Sequence, residues 1–288
     1  MRLVVTIYKN EEIEYLHDYI DYAMIMVPHL SINYSNIDVD KAILSLSKYN
    51  KGIILNINRI MHEKDLSILD KFFDNYMKHG NILFLISDLG ALKIAKDKKI
   101  ENRIIYNPET MITNYLDLSI YDKENLNAIG LSEEITLDDV IKCMNYSSNI
   151  YYQIFGRRLM FYSRRKLISL YEEKNNDKYP HEAFLRESTR TDLFQIYEND
   201  ECTTIYRGYN INYLKELELL SNIKYGYIET LNLNKEESLI ILKAFNESLK
   251  DYSNIDKNLN IINSLNLSIE DGFKYKDSVY QKEELKNV

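Results

Sequence analysis

Eight short runs of Ile, Leu and Val, each followed by a longer amphipathic stretch, constrain the fold of this 288-residue chain more than any other feature. Buried parallel strands read as apolar runs, and the helices that cover them are apolar on one face. The predicted strands are Leu3–Tyr8, Tyr22–Val27, Gly52–Asn56, Ile82–Ile86, Arg103–Tyr106, Ala128–Leu131, Ile150–Phe155 and Tyr225–Thr230. This pattern predicts an α/β fold, an eight-stranded β/α barrel of the TIM type, with an open doubly wound sheet as the main alternative.

The alternation of strands and helices breaks between the seventh and eighth predicted strands. Three short apolar runs occupy this part of the chain and are separated by turn residues. They are Phe184–Glu187, Leu193–Tyr197 and Cys202–Tyr206. We therefore expect a small β insertion at residues 178–207, built from turn-linked strands rather than from another strand and helix unit.

The domain organisation expected from these patterns is one barrel followed by a short extension. The barrel, with its insertion, is predicted to span residues 1–250. The Asn- and Lys-rich remainder, residues 251–288, is weakly periodic. Because Phe273, Tyr275 and Tyr280 supply apolar side chains, we expect this extension to pack on the barrel.

Charge and cysteine content exclude several functional classes. A formal net charge of −8 argues against a protein that coats nucleic acid, although a local basic pocket for RNA stays open. Cys143 and Cys202 are the only cysteines, which are too few for a disulfide framework or a four-thiolate metal site. No His and Cys spacing indicates a zinc site, so no metal is expected. The absence of a signal peptide or a membrane-length apolar run favours a cytoplasmic protein without a membrane partner.

Polar residues at the predicted strand ends mark the expected functional site, because β/α barrels carry their active sites at the carboxyl ends of the strands. These residues are Asn56, Asn58, Arg59, His62, Ser87, Asp88, Asn107, Glu109, Asn114, Ser132, Glu133, Glu134 and Glu229. Among them, Asn56 and Asn114 are candidates for substrate binding. Amide side chains can donate and accept hydrogen bonds at such a position.

Three of these residues are candidates for catalysis. Glu133 lies where barrel enzymes carry an acid or base, and the adjacent Glu134 is expected to point away and cap the next helix. His62 could carry a proton at the pocket rim, or cap a helix. Asp88 is equally suited to a ligand role and to a helix cap.

A basic run follows the seventh predicted strand. Its cations are Arg157, Arg158, Arg164, Arg165 and Lys166, and Tyr162 lies among them. Guanidinium groups offer paired donors that match phosphate and carboxylate oxygens, so the run predicts an anion-binding site. The alternative is that some of these side chains are solvated and others balance Glu172 and Glu173.

Several segments, taken in order, resemble the collagenase-like peptidases of family U32. The segments are Asn56–Glu63, Ser87–Gly90, Pro108–Asn114, Leu131–Asp138, Phe155–Leu167 and Gly272–Tyr280. The resemblance implies a barrel-like fold. It also places the chain beside proteins labelled peptidases, several relatives of which hydroxylate transfer RNA, ribosomal RNA or ubiquinone precursors.

The hydroxylating relatives carry cysteines for an iron–sulfur cluster, and the matching positions here hold Leu159 and Lys166. The resemblance therefore implies a component of RNA hydroxylation that binds no cofactor itself, with RNA and a heteromeric partner from the same family as its partners. Two alternatives stay open. One is a peptidase for unfolded or collagen-like chains that uses Glu133, His62 or Ser163, and the other is a non-catalytic partner of a cysteine-bearing relative.

Overall fold

The secondary structure alternates strands and helices as the apolar runs predict. The computed structural model describes residues 1–33, 37–186, 188 and 193–276. The strands are β1 (Arg2–Ile7), β2 (Tyr22–Met26), β3 (Gly52–Ile57), β4 (Ile82–Ile86), β5 (Ile104–Tyr106), β6 (Ala128–Gly130), β7 (Ile150–Ser163), β8 (Glu182–Arg186), β9 (Leu193–Glu198), β10 (Thr203–Asn212) and β11 (Tyr225–Ile228). The α-helices are α1 (Ile13–Leu16), α2 (Val39–Lys48), α3 (Glu63–Tyr76), α4 (Leu89–Asp97), α5 (Tyr115–Asp122), α6 (Leu137–Tyr146), α7 (Leu167–Asn175), α8 (Lys235–Lys250) and α9 (Ile255–Asn263). Every helix in these ranges is too short or too polar to span a bilayer.

Strands β1 to β7 and β11 form a closed parallel barrel. Each strand pairs with the next in chain order, and β11 closes the barrel by pairing with both β7 and β1. The predicted β/α barrel is thus confirmed, and the open doubly wound sheet is excluded. Seven barrel strands differ from the predicted bounds by at most two residues, and β7 is the exception.

The barrel has an inner and an outer apolar layer, because successive residues of a strand face opposite sides of the sheet. Ile54 of β3 lies in the inner layer, whereas its neighbours Ile53 and Leu55 pack outward against the helices. Helix α3 buries Leu69 and Phe73 completely in the outer layer. Burial on both faces explains why the strands read as continuous apolar runs.

Strand β7 continues past the barrel into an antiparallel sheet with β10, β9 and β8. The predicted β insertion is present, and Glu187 of its first run lies outside the described residues. The prediction that the seventh strand ends at Phe155, with the basic run after it, is wrong, because the strand continues to Ser163. Gly156 permits the continuation because its φ is +107°, and a Cβ there would lie 2.4 Å from the Glu229 carbonyl oxygen.

The segment after α8 returns to the barrel. Helix α9 follows a 3₁₀ turn at Tyr252–Asn254 and packs on α8. Further along, Ile269 bridges to Asn210 of β10, and the Lys274 ammonium forms a buried ion pair with Glu216 at 3.1 Å. The expected contact residue Tyr280 lies outside the described residues.

Candidate functional site

A cavity of about 150 Å³ opens at the carboxyl ends of the barrel strands. Its lining includes residues from β2, β3, β4, β7, β10 and β11 and from the loops after β5 and β6. The extension of β7 and strand β10 cover one side, where Tyr162 and Tyr206 line the cavity. The insertion sheet therefore completes a pocket that the barrel alone would leave open.

Four glutamates line this cavity: Glu109 after β5, Glu133 and Glu134 after β6, and Glu229 after β11. Glu229 is buried, and its carboxylate accepts hydrogen bonds from the hydroxyls of Tyr8, at 2.8 Å, and Tyr227. The backbone N–H of Leu231 donates to the same carboxylate at 2.9 Å. Burial still raises the pKa of Glu229 above its ordinary value, although these donors oppose the shift.

Glu109 lies in the loop after β5 and has a left-handed backbone, with φ of +57°. A residue other than glycine in this conformation is strained, and such residues cluster at functional sites. Burial, together with the nearby Glu133 carboxyl, raises the pKa of Glu109 to about 7. The carboxyl can therefore exchange a proton near neutral pH.

Glu133 lies in the loop after β6, which Thr136 ends by capping α6. Burial raises the pKa of the Glu133 carboxyl to about 7; Arg158 opposes this shift and Glu229 adds to it. The Nε atom of Arg158 lies 3.7 Å from the Glu133 carboxylate, and its Nη1 donates to the Glu133 carbonyl oxygen. Glu133, predicted as a catalytic residue, thus faces the cavity with a cation beside it.

Arg158 does not line the cavity; it contacts Glu133 from outside the cavity. Its Nη2 donates to the hydroxyls of Tyr152, at 3.0 Å, and Tyr213, at 3.4 Å. The ammonium of Lys274 lies 4.8 Å from the centre of the Tyr213 ring, and the Lys274 carbonyl accepts the N–H of Leu137 at the start of α6. The C-terminal segment thereby contacts the start of α6 and one of the two tyrosines that hold Arg158.

The other cations of the basic run point in different directions. Arg157 lines the cavity, and its Nη1 donates to Gln195 at 3.0 Å. Arg164 forms an ion pair with Asp65 at 2.6 Å. Arg165 is exposed, and Lys166 lies 3.4 Å from Asp200. The run is therefore not a single cluster, and only Arg157 faces the cavity.

The remaining predicted residues divide between the cavity and the helix ends. Asn56 and Tyr162 line the cavity. His62, Asp88 and Asn114 are the N-cap residues of α3, α4 and α5, and they lie outside the cavity lining. The Asp88 carboxylate accepts from the backbone N–H of Ala91 and Met61, which fits the helix-cap alternative considered for it.

The chain matches a protein-family model over most of its length. The model described as Peptidase family U32 matches residues 28–266. The chain belongs to peptidase family U32. The resemblance inferred from the motifs is therefore confirmed.

One curated relative matches this U32 member over most of its length. It is a tRNA hydroxylation protein P2 from Bacillus subtilis (strain 168), 23% identical over 272 residues. The match covers 87% of this chain and 88% of the relative. No solved structure gives a significant match.

The donor set of this U32 member does not fit an iron–sulfur cluster. Leu159 lines the cavity and Lys166 is exposed, so neither implied cluster position offers a thiolate. Cys143 is buried on α6, and the Cys202 thiol donates to the Ile32 carbonyl. Among the described residues, no group of three or more His, Cys, Asp or Glu is arranged to hold a metal ion.

Sequence reasoning placed two cavity glutamates, Glu109 and Glu229, at strand ends without assigning them a role. The strand-end position was the available signal. The buried tyrosines Tyr151, Tyr206 and Tyr227 were missed, because tyrosine is abundant in this chain and most copies read as core. Their position around a cavity depends on the closure of the barrel, which single strands do not reveal.

Proposed function

We propose that this U32 member is a component of tRNA hydroxylation whose barrel-mouth cavity receives the target base, without a cluster of its own. The observation that carries the proposal is the match to the B. subtilis tRNA hydroxylation protein P2 across 87% of this chain and 88% of the relative. A match of that extent concerns most of the chain rather than one motif.

The cavity has properties that suit a base. A volume of about 150 Å³ accommodates one six-membered ring. Enzymes that act on a base must take it out of the stack, and they enclose it in a pocket lined by aromatic and polar groups. Glu109 and Glu133, with pKa values raised to about 7, supply carboxyls that can give or take a proton there.

RNA would approach at the end of β7. Arg165 is exposed at this point, beside Lys166, whose side chain is 44% exposed. Because the chain carries a net charge of −8, phosphate contacts are expected to be few and local. We assign this edge, rather than the whole basic run, to the RNA backbone.

The cysteine count supports a heteromeric partner from the same family. Hydroxylation that depends on a cluster needs thiolates that this chain does not supply. A cysteine-bearing relative would hold the cluster, and this chain would hold the base, in the cytoplasm where tRNA is found. Co-purification of such a relative with the tagged chain from the source organism tests this part of the proposal.

The decisive experiment compares modified nucleosides in total tRNA, by mass spectrometry, with and without this gene. Loss of a hydroxylated nucleoside on deletion, restored by the wild-type gene, supports the proposal. Glu133→Gln should restore less of it than Asp138→Asn, which alters an exposed carboxylate outside the cavity lining. An unchanged nucleoside profile contradicts the proposal, and gelatin cleavage by the purified protein would support a peptidase instead.

A further inference from the structure

Two buried hydrogen-bond donors line the cavity. Among the described residues, their only hydrogen-bond partners are sulfur atoms. The Tyr151 hydroxyl, on a residue that is 4% exposed, lies 3.9 Å from the Met24 sulfur. The Asn56 amide nitrogen, on a residue 3% exposed, lies 3.5 Å from the same sulfur and 3.2 Å from that of Met26. A thioether is a weak acceptor, so both donors lack the oxygen partner that buried donors normally have.

The orientation of the Asn56 amide is fixed by its other end. Its Oδ1 accepts the backbone N–H of Asn58 at 3.0 Å, so the nitrogen is the atom that faces the sulfurs. The Tyr151 hydroxyl also stays a donor. Burial, with the charges of Glu133 and Glu229, holds its pKa well above the ordinary value. Both groups therefore offer a hydrogen at neutral pH.

Aromatic and apolar side chains line the cavity around these donors. The rings of Tyr151 and Tyr227 stack with their centres 5.6 Å apart and an angle of 22° between their planes, and both line the cavity. Met26 and Leu85 contribute apolar lining. A ligand oxygen that replaced the Met24 sulfur as acceptor would satisfy both donors, and methionine is flexible enough to move aside.

We propose that the cavity floor binds the carbonyl oxygen of a small planar ring, with Tyr151 and Asn56 as the two donors. One source of such a ring is a pyrimidine base turned out of tRNA, and for this source the inference rests on the proposed function. The other source is a free carbonyl-bearing ring compound. The recognition chemistry is the same for both.

The test uses 2-pyridone, a planar ring with one carbonyl, and benzene, a ring of the same size without one. Binding to the purified full chain is followed by ligand-observed NMR. Wild-type protein should bind 2-pyridone more tightly than benzene, and Tyr151→Phe should weaken 2-pyridone binding about tenfold, the effect of one lost hydrogen bond. Tyr106→Phe is the matched control, because Tyr106 is a buried strand tyrosine outside the cavity lining.

Tyr151→Phe should not lower the unfolding midpoint, since it removes a hydroxyl whose partner is a distant sulfur. This separates a ligand donor from a structural tyrosine. Equal 2-pyridone binding by wild type and Tyr151→Phe, equal binding of benzene, or no 2-pyridone binding each overturns the inference. If tRNA from the source organism competes with 2-pyridone, the carbonyl belongs to a tRNA base. If tRNA does not compete, the carbonyl belongs to a free ring compound. Neither result depends on the nucleoside profile of the deletion strain, so the two proposals can fail separately.

Discussion

The guanidinium of Arg164 and the carboxylate of Asp65, 99 positions apart in the chain, form a hydrogen-bonded ion pair at 2.6 Å. Arg59, which is 2% exposed, pairs with the same carboxylate at 3.1 Å and also with Glu201 in the turn between β9 and β10. This network fastens the insertion sheet to the loop between β3 and α3. Its donors keep the pKa of Asp65 below the ordinary value in spite of burial.

Arg164→Ala should lower the free energy of unfolding by about 1.5–3 kcal/mol, because it removes a charge-assisted hydrogen bond from a buried carboxylate that keeps Arg59 as its second partner. Arg165→Ala, one residue further along and exposed, should change it by less than about 0.5 kcal/mol. Urea denaturation of both variants measures the difference. If Arg164→Ala lowers the free energy of unfolding as little as Arg165→Ala does, the network contributes little to stability.

Arg165→Ala should instead weaken tRNA binding with a characteristic salt dependence. Loss of one phosphate contact reduces the slope of log affinity against log salt concentration by about 1. Titrations at several salt concentrations measure this slope. Lys48→Ala, which alters an exposed cation at the end of α2, is the control and should leave the slope unchanged.

Glu133→Gln should flatten the dependence of stability on pH. The folded-state pKa of about 7 exceeds the ordinary value of 4.5, so the folded protein binds more protons than the unfolded chain between these values. Stability of the wild type should therefore fall as pH rises from about 4.5 to about 7. Thermal unfolding at several pH values between about 4.5 and about 7 measures this fall in stability. The same slope in Glu133→Gln as in the wild type would refute the assignment.

Glu109→Gly should make the protein more stable and less active. Glycine adopts φ of +57° without strain, which favours the folded state by about 1 kcal/mol, and the change also removes a buried carboxyl. Lys99→Gly is the control, because exposed Lys99 has φ of +58° far from the cavity lining. Both variants should gain stability, whereas only Glu109→Gly should fail to restore the hydroxylated nucleoside. Full restoration by Glu109→Gly would exclude a role for this carboxyl.

The barrel was predictable because its strands are buried on both faces, and Ile82–Ile86 was predicted with its observed bounds. The extension of β7 was not predicted, because the apolar run ends at Gly156 and cationic side chains follow it. Strand ends also located Glu133 and Asn56 correctly in the cavity. The direction of Arg164 could not be predicted, since it depends on Asp65, a partner that only the folded chain brings near.

One backbone segment, β7, carries Tyr151 on the cavity floor and Tyr162 on its cover. The strand is hydrogen-bonded to neighbours along both stretches, in the barrel and in the insertion sheet. Floor and cover are therefore carried by one continuous hydrogen-bonded strand, which passes from the barrel to the insertion sheet at Gly156. Deleting the insertion to obtain a minimal barrel would also remove one wall of the pocket. The barrel and the insertion therefore have to be expressed and engineered as one unit.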